Sequence, residues 1–305
     1  MKSVFSPKII FIIGPTAVGK TDIALNIASQ IPSEIVSCDS MQVYREISIA
    51  SSKPSLAQRN KVPHHVLDVI SIAEKFDVAA FNIMATSAIE SILAKKKYPL
   101  VVGGSGMYVQ ILLDGIFEGG EQDPVLRKKL ESMGAEALYK KLKKVDPDAA
   151  EKIHSNDVRR LVRALEVYET TNEPISQLQK QRSGLWGKYE IIIIGLNRER
   201  EELYEMINQR AEGMFGEGLI KEVKAISDSK MSLTAQRIIG VGEVLAYLRG
   251  ESTLEEAKEL MKMNTRRLAK RQLTWFRKDK RITWLMSRAG DSAQEVSKKI
   301  LKEIN

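Results

Sequence analysis

Short, unbroken apolar runs alternate with segments of helical periodicity along this chain. Residues 9–13 read Ile-Ile-Phe-Ile-Ile, a β-branched run too short for a helix, which predicts a strand buried on both faces. A glycine-bounded loop follows, then helical character over 20–30. Residues 34–37 form a second strand candidate. Asp77 is placed to cap a long amphipathic helix running to about residue 97. Residues 100–102 are again a short strand ending at glycines. Strands alternating with helices predict βαβ units and a parallel sheet.

The pattern changes near Glu118. From 123 to about 181 only helical patterns occur: 123–133, 135–144, 147–153, 157–170 and 174–180. Asp123-Pro124 and Asp146-Pro147 read as helix-start pairs, because proline tolerates the first helical position. Residues 190–196 are plainly a strand again, and a late strand is expected at 282–285 within otherwise helical sequence. The simplest organisation is an α/β core (1–118 and 188–305), its parallel sheet flanked by helices. An all-helical domain (119–187) is then inserted between two strands of that sheet.

Composition narrows the picture. The chain has 305 residues, and 43% of them are apolar, enough for a real core. Cys38 is the only cysteine, so an intrachain disulfide is impossible and a reducing compartment fits best. Three histidines and one cysteine exclude a Cys/His zinc cluster. The apolar runs fall far short of the roughly 20 residues that span a bilayer, and no signal-peptide pattern opens the chain. A cytoplasmic, soluble, monomeric protein without membrane contact is expected. The net charge is +8, but residues 258–288 alone hold eleven basic and two acidic residues. That +9 block leaves −1 for the rest, so the excess is local and predicts a polyanionic partner.

Candidate chemistry gathers at the predicted carboxyl ends of the strands, where open parallel sheets bind ligands. Gly14, Pro15, Thr16, Ala17, Val18, Gly19, Lys20 and Thr21 match the phosphate-loop pattern G-x-x-x-x-G-K-[ST] between a strand and a helix. Such glycines let backbone N–H groups converge on phosphate oxygens at a helix N-terminus. Lys20 supplies a cation, and the Thr21 hydroxyl can ligate Mg²⁺. The loop predicts a di- or triphosphate without saying whether a nucleoside carries it. The strand at 100–102 ends in Gly103-Gly104-Ser105-Gly106 with no carboxylate, and no guanine-reading N-K-x-D segment exists. Both absences argue against a GTPase or a motor ATPase. The second glycine turn predicts either close approach to a ligand or a tight strand-to-helix turn. Asp39, after the second strand, is either a general base or an Asx-turn residue. Gln42 carries the donor and acceptor needed to read a base edge.

Six motifs, taken in order, resemble one family: GPTAVGKT (14–21), DSMQVYR (39–45), KVPHHVLDV (61–69), VVGGSGMY (101–108), NDVRRLVRALEVYE (156–169) and KRQLTWFR (270–277). The chain is similar to tRNA dimethylallyltransferases from about residue 9 to residue 277. The resemblance implies a P-loop kinase-like core and a helical domain that grips the anticodon stem-loop. It implies transfer of the dimethylallyl group of dimethylallyl diphosphate to N6 of the adenosine just 3′ of the anticodon, in tRNAs reading codons that start with U. By that likeness Thr16 to Thr21 cradle the diphosphate. Lys20 and Ser105 neutralise leaving-group charge, Thr21 holds Mg²⁺ and Asp39 is the catalytic carboxylate. Asp39, Ser40, Met41 and Gln42 form the first tRNA-contact segment, with Gln42 reading the adenine; Ser105 and Arg127 are further contacts. Arg159, Arg160, Leu161, Val162 and Arg163 form another, although Arg159 and Arg163 could equally form a solvated face paired with Asp157 and Glu166. Lys270, Arg271, Gln272, Leu273, Thr274, Trp275, Phe276 and Arg277 form the last, with at least one of the two aromatics expected in the core. Arg237 and the residues on to 242 are implicated as well. There the usual I-G-Y-K-E is replaced by Ile239-Gly240-Val241-Gly242-Glu243, which removes an aromatic and a basic side chain. His64 and His65 are expected to be structural. The rival readings are a P-loop small-molecule kinase and a non-catalytic RNA-binding module.

Overall fold

A computed structural model describes residues 8–117, 119–120, 123–288 and 290–304. The chain forms two compact units. One comprises the described residues up to Leu112 together with those from Gly187 onward, and the other is Leu113–Trp186. Glu118, where the sequence changes character, lies outside the described residues.

The larger unit opens with β1 (Ile9–Ile13), α1 (Lys20–Ala28), β2 (Ser33–Ser37), α2 (Leu56–Arg59), β3 (His64–His65), α3 (Val78–Ala94), β4 (Tyr98–Gly103) and α4 (Gly106–Asp114), the last of which leads out of it. It resumes with β5 (Ile191–Asn197). The six-stranded sheet has the order β3-β2-β4-β1-β5-β6, where β6 is Thr283–Met286. Every pairing is parallel. The expected α/β architecture is therefore present. All five residues of β1 are buried, as a central strand covered on both faces requires. The late strand sits one residue beyond its expected start. The two-residue edge strand β3 was not expected. There His65 Nε2 meets the buried Glu34 carboxylate at 2.8 Å, with Lys95 and Lys97 on the same carboxylate. The histidine pair thus begins as sheet structure.

Asp77 caps α3 as its spacing predicts, accepting from the N–H groups of Ala79 and Ala80. One face of the sheet is closed by Ile23 and Ile27 from α1, and by residues of three further helices. Those are Leu203 and Ile207 from α10 (Arg200–Glu217), Ala269 from α13 (Leu254–Phe276) and Ile300 and Ile304 from α14 (Ala293–Ile304). Between α10 and α13 lie α11 (Leu219–Ala225), a single 3₁₀ turn (Ala235–Arg237) and α12 (Val241–Leu248).

The smaller unit contains α5 (Pro124–Glu131), α6 (Ala135–Val145), α7 (Pro147–Lys152), α8 (Val158–Thr171) and α9 (Ile175–Lys180). Asp123 and Asp146 cap α5 and α7, each with proline at the first helical position. Asp146 is buried, because its second oxygen also accepts from the Ser176 N–H (2.9 Å) and ties α9 to the α7 start. Leu138, Leu142, Leu161, Val162, Leu165 and Leu178 are among the core residues. No described helix is long and apolar enough to cross a membrane.

Candidate active site at the carboxyl edge of the sheet

The parallel register brings the ends of β1, β2 and β4 to one edge, so three loops meet there. The first is the phosphate loop. Gly14 has φ of 149°, and a Cβ on it would lie 2.5 Å from the Leu196 carbonyl oxygen, so this turn needs glycine. Gly19, at φ of 94°, stands before the first residue of α1. No side chain caps that helix start, which leaves its orphan N–H groups directed at the loop. Lys20 folds back and donates to the carbonyl oxygens of Gly14 (3.1 Å) and Pro15 (2.6 Å). Burial and the nearby Arg210 guanidinium lower its pKa from 10.5 to about 7, against the opposing pull of Asp39. Val18 is buried, so its side chain belongs to the core and only its backbone faces the loop.

Arg210 was invisible in the sequence. It lies on α10, and its NH1 donates to the Thr16 hydroxyl at 3.3 Å. Burial lowers its pKa while Asp39 raises it, so Lys20, Arg210 and Asp39 share one electrostatic environment. No local motif surrounds Arg210; it reaches the loop only through the packing of α10 on the sheet. One expectation needs correction. The Thr16 N–H does not point free into the loop: it donates to Gln272 Oε1 at 2.8 Å. Ala17, Val18, Gly19, Lys20 and Thr21 carry the chain from there around the turn into α1.

The second loop carries Asp39. Its Oδ1 accepts from the Met41 N–H at 2.9 Å, the Asx-turn geometry. This is compatible with a chemical role, because a carboxylate has further lone pairs. Ser40 donates its N–H to the Ser105 hydroxyl at 3.1 Å, and Ser105 in turn donates its N–H to the Cys38 carbonyl at 3.3 Å. Asp39, Ser40 and Ser105 are thereby brought together. Gln42 behaves differently. Its Oε1 accepts from Ser37 (2.9 Å) and its Nε2 donates to the Ser52 carbonyl (3.2 Å), so both ends of the amide are engaged within the protein. Reading a base would require exchanging these bonds.

The third loop is the glycine turn after β4. Protein atoms, not open space, explain its glycines. A Cβ on Gly103 would lie 2.0 Å from the Cys38 carbonyl oxygen; on Gly104, 2.3 Å from Gln272 Nε2; on Gly106, 2.4 Å from Trp275 Cδ1. The last turns of α13 rest directly on this loop.

The basic helix α13 divides into two parts. Lys262 is held by Glu212 and Glu259, both at 2.6 Å, and Arg266 NH1 donates to Asn208 at 2.7 Å, so these cations of the basic block are engaged within the protein. Lys270, Arg271, Thr274 and Arg277 are exposed. Phe276 is buried at 2% exposure, which makes it the core anchor of the aromatic pair; Leu273 packs on the core beside it. Arg237 is exposed at the end of the 3₁₀ turn. Arg237, Gly242, Leu260, Asn264 and Arg271 line one shallow cleft, while Val241 is buried.

In the helical unit, the side-chain contacts expected of Leu161 and Val162 are corrected. Leu161 and Val162 lie in its core, at 0% and 4% exposure, because they fall on the apolar face of α8. Arg127 and Arg163 both clamp the fully buried Glu166, at 2.7 Å each. Arg160 pairs with Asp157 at 3.4 Å. Arg159 and Arg160 are the exposed members of the segment.

A parallel sheet with a phosphate loop at its carboxyl edge defines a P-loop α/β protein. Comparison with known proteins narrows the class. The IPP transferase family profile matches residues 42–279. The tRNA dimethylallyltransferase of Halothermothrix orenii is 42% identical over 303 residues, covering 97% of this chain and 91% of the relative. That of Carboxydothermus hydrogenoformans is 43% identical over 304 residues, covering 98% and 97%. The crystal structure of the full-length tRNA isopentenylpyrophosphate transferase of Bacillus halodurans superposes with a TM-score of 0.72 at 38% identity, covering 98% of this chain and 97% of that one. A eukaryotic dimethylallyltransferase acting on tRNA superposes with a TM-score of 0.83 at 29% identity, covering 98% and 80%. The chain belongs to the IPP transferase family.

Proposed function

We propose that this enzyme transfers the dimethylallyl group of dimethylallyl diphosphate to N6 of the adenosine 3′-adjacent to the anticodon, in tRNAs reading codons that start with U. The observation that carries this reading is the joining of Lys20, Arg210 and Asp39 at one sheet edge, two cations beside one carboxylate. In the reaction the bond from the allylic carbon to the diphosphate oxygen breaks, and diphosphate leaves with the electron pair. The carbon–N6 bond forms, and N6 gives up one proton. Lys20, Arg210 and the backbone donors from Ala17 to Thr21 stabilise the leaving charge, which is the main lever on such a transition state. Asp39 accepts the proton. Ser105, through its bond from the Ser40 N–H, holds the Asp39 turn.

Magnesium fits this donor set in one way. Among the described residues no group of three or more His, Cys, Asp or Glu could hold a metal ion. The Thr21 hydroxyl, at the start of α1 beside the phosphate loop, would hold Mg²⁺, an ion that prefers oxygen ligands. Bound there, it would offset diphosphate charge. The target adenine has to leave its stack to reach the site, and a single-stranded loop lowers the cost of that step. The helical unit contributes Arg159 and Arg160 to holding the anticodon stem-loop, and α13 contributes Lys270, Arg271 and Arg277. The enzyme works as a monomer in the cytoplasm, where its RNA substrate is.

The test supplies unmodified tRNA and Mg²⁺ with either labelled dimethylallyl diphosphate or labelled ATP. Prenyl label should enter tRNA, and ATP should not be turned over. Asp39→Asn should bind tRNA as before while turnover falls about 10²-fold or more, the scale of a lost general base. ATP turnover without prenyl transfer would replace this reading with a small-molecule kinase.

A further inference from the structure

We propose that Gln272 is a positioning residue that fixes the shape of the diphosphate loop and couples it to the Asp39 turn; this rests on the transfer reading above. Gln272 lies in the basic segment of α13, between the exposed Arg271 and the core-packed Leu273, yet its side chain turns inward. Its Oε1 accepts from the Thr16 N–H (2.8 Å), and its Nε2 donates to the Gly104 carbonyl (3.0 Å). One amide thus joins the loop after β1 to the loop after β4.

The partners demand this residue type. One is a donor and the other an acceptor, so the bridging group needs one of each, which a carboxylate or an ammonium lacks. A Cβ on Gly104 would come within 2.3 Å of Nε2, and one on Gly106 within 2.4 Å of the Trp275 ring, so the helix approaches the loop as closely as glycine allows.

The consequences run in two directions. Thr16 is held at its backbone by Gln272 and at its hydroxyl by Arg210. That fixes the strand-side end of the loop whose remaining N–H groups face the diphosphate. On the other side Gly104 precedes Ser105, whose hydroxyl accepts from Ser40, the residue after Asp39. A single polar chain therefore runs from leaving-group loop to proton acceptor. Misplacing reacting groups by about 1 Å costs on the order of 10²-fold in rate.

The experiment uses the full chain and two variants. Gln272→Met keeps the length and packing but deletes both hydrogen bonds. Gln272→Glu keeps an acceptor for Thr16 but sets an anion beside the diphosphate. For Gln272→Met, KM for dimethylallyl diphosphate should rise and kcat fall, each by about tenfold. The tRNA Kd and its salt dependence should stay within about twofold, since no phosphate contact is removed. Gln272→Glu should weaken inorganic pyrophosphate binding further than Gln272→Met. The proposal is overturned if kcat and the diphosphate KM are unchanged, or if only tRNA affinity moves, which would make Gln272 an RNA contact. If Gln272→Met unfolds, pyrophosphate binding by Gln272→Glu decides: affinity equal to wild type rejects the clamp. Failure of the wild-type protein to move prenyl onto tRNA would sink the transfer reading alone, because pyrophosphate affinities of the three proteins still test the clamp.

Discussion

Lys20 carries the sharpest consequence at the scale of single residues. Its pKa, lowered to about 7 by burial and by Arg210, puts its charge change within the working pH range. An arriving diphosphate favours the ammonium and raises that pKa. Below pH 7 the lysine is already protonated, so binding takes up no proton there. Above pH 7, binding must take up a proton, and affinity falls by up to about tenfold per pH unit. The substrate's own last phosphate proton leaves near pH 6, roughly, and so does not mask the effect above 7.5. Calorimetry of dimethylallyl diphosphate binding at pH 8, in two buffers of different ionisation enthalpy, should show proton uptake. Equal heats in both buffers would mean that the free enzyme's Lys20 stays charged. Lys20 and Thr21 were legible because their roles follow from spacing within eight consecutive residues. Arg210 and the engaged Thr16 N–H were not, because they depend on helices 194 and 256 residues further along the chain. Gln42 was legible as a residue of interest, but its bonds were not: one comes from Ser37 at the end of β2, the other from Ser52 in a stretch that no pattern marks.

Among the elements, α8 shows how one motif can serve two ends. Its arginines look like a phosphate-tracking face, and two of them remain exposed. Arg163 instead joins Arg127 of α5 on Glu166, which is fully buried and also accepts from the Asp123 N–H at 3.1 Å. Arg127 and Arg163 hold the Glu166 carboxyl below its usual pKa, although burial alone would raise it. A depressed carboxyl stabilises the fold above its unfolded pKa, and that contribution is lost as pH falls through the folded value. Glu166→Ala removes the buried carboxylate on which Arg127 and Arg163 converge and should destabilise the helical unit by about 3 kcal/mol. Hydrogen exchange over α5 and α8 is the direct measurement, since the larger unit should keep its protection. Unchanged exchange in α8 would show that the carboxylate is replaceable. Continuous apolar runs made β1 and β5 readable. β3 was not, because two histidines after a proline carry no alternation. α4 was not read either, since Met107–Leu113 is apolar almost throughout; only burial separates its inner face, Tyr108, Val109, Leu112 and Leu113, from the exposed Met107.

For the molecule as a whole, the +8 charge separates into cations with different occupations. Lys20 and Arg210 face the phosphate loop. Lys262 is held by Glu212 and Glu259 on its own side of the sheet. Lys270 and Arg271 stand exposed at the end of α13. The basic block is visible in the charge count, but paired and exposed cations are not told apart there, because Glu212, one of the two acids on Lys262, lies on α10. This partition predicts a selective salt effect. Each phosphate neutralised by the protein adds slightly less than one to the slope of log affinity against log salt. Lys270→Ala with Arg271→Ala should therefore flatten the tRNA salt slope by about 1.5. The same variant should leave the KM for dimethylallyl diphosphate unchanged, since both side chains are exposed and the one that turns inward between α13 and the loop is Gln272. Lys262→Ala should leave the slope alone, its ammonium being engaged with carboxylates already. A double variant with wild-type slope, or a Lys262→Ala slope as flat as the double variant's, would show that the RNA docks elsewhere on the helix. The expected split would instead mean that two anion sites, one for a leaving group and one for an RNA backbone, operate on separate sets of cations within one unit.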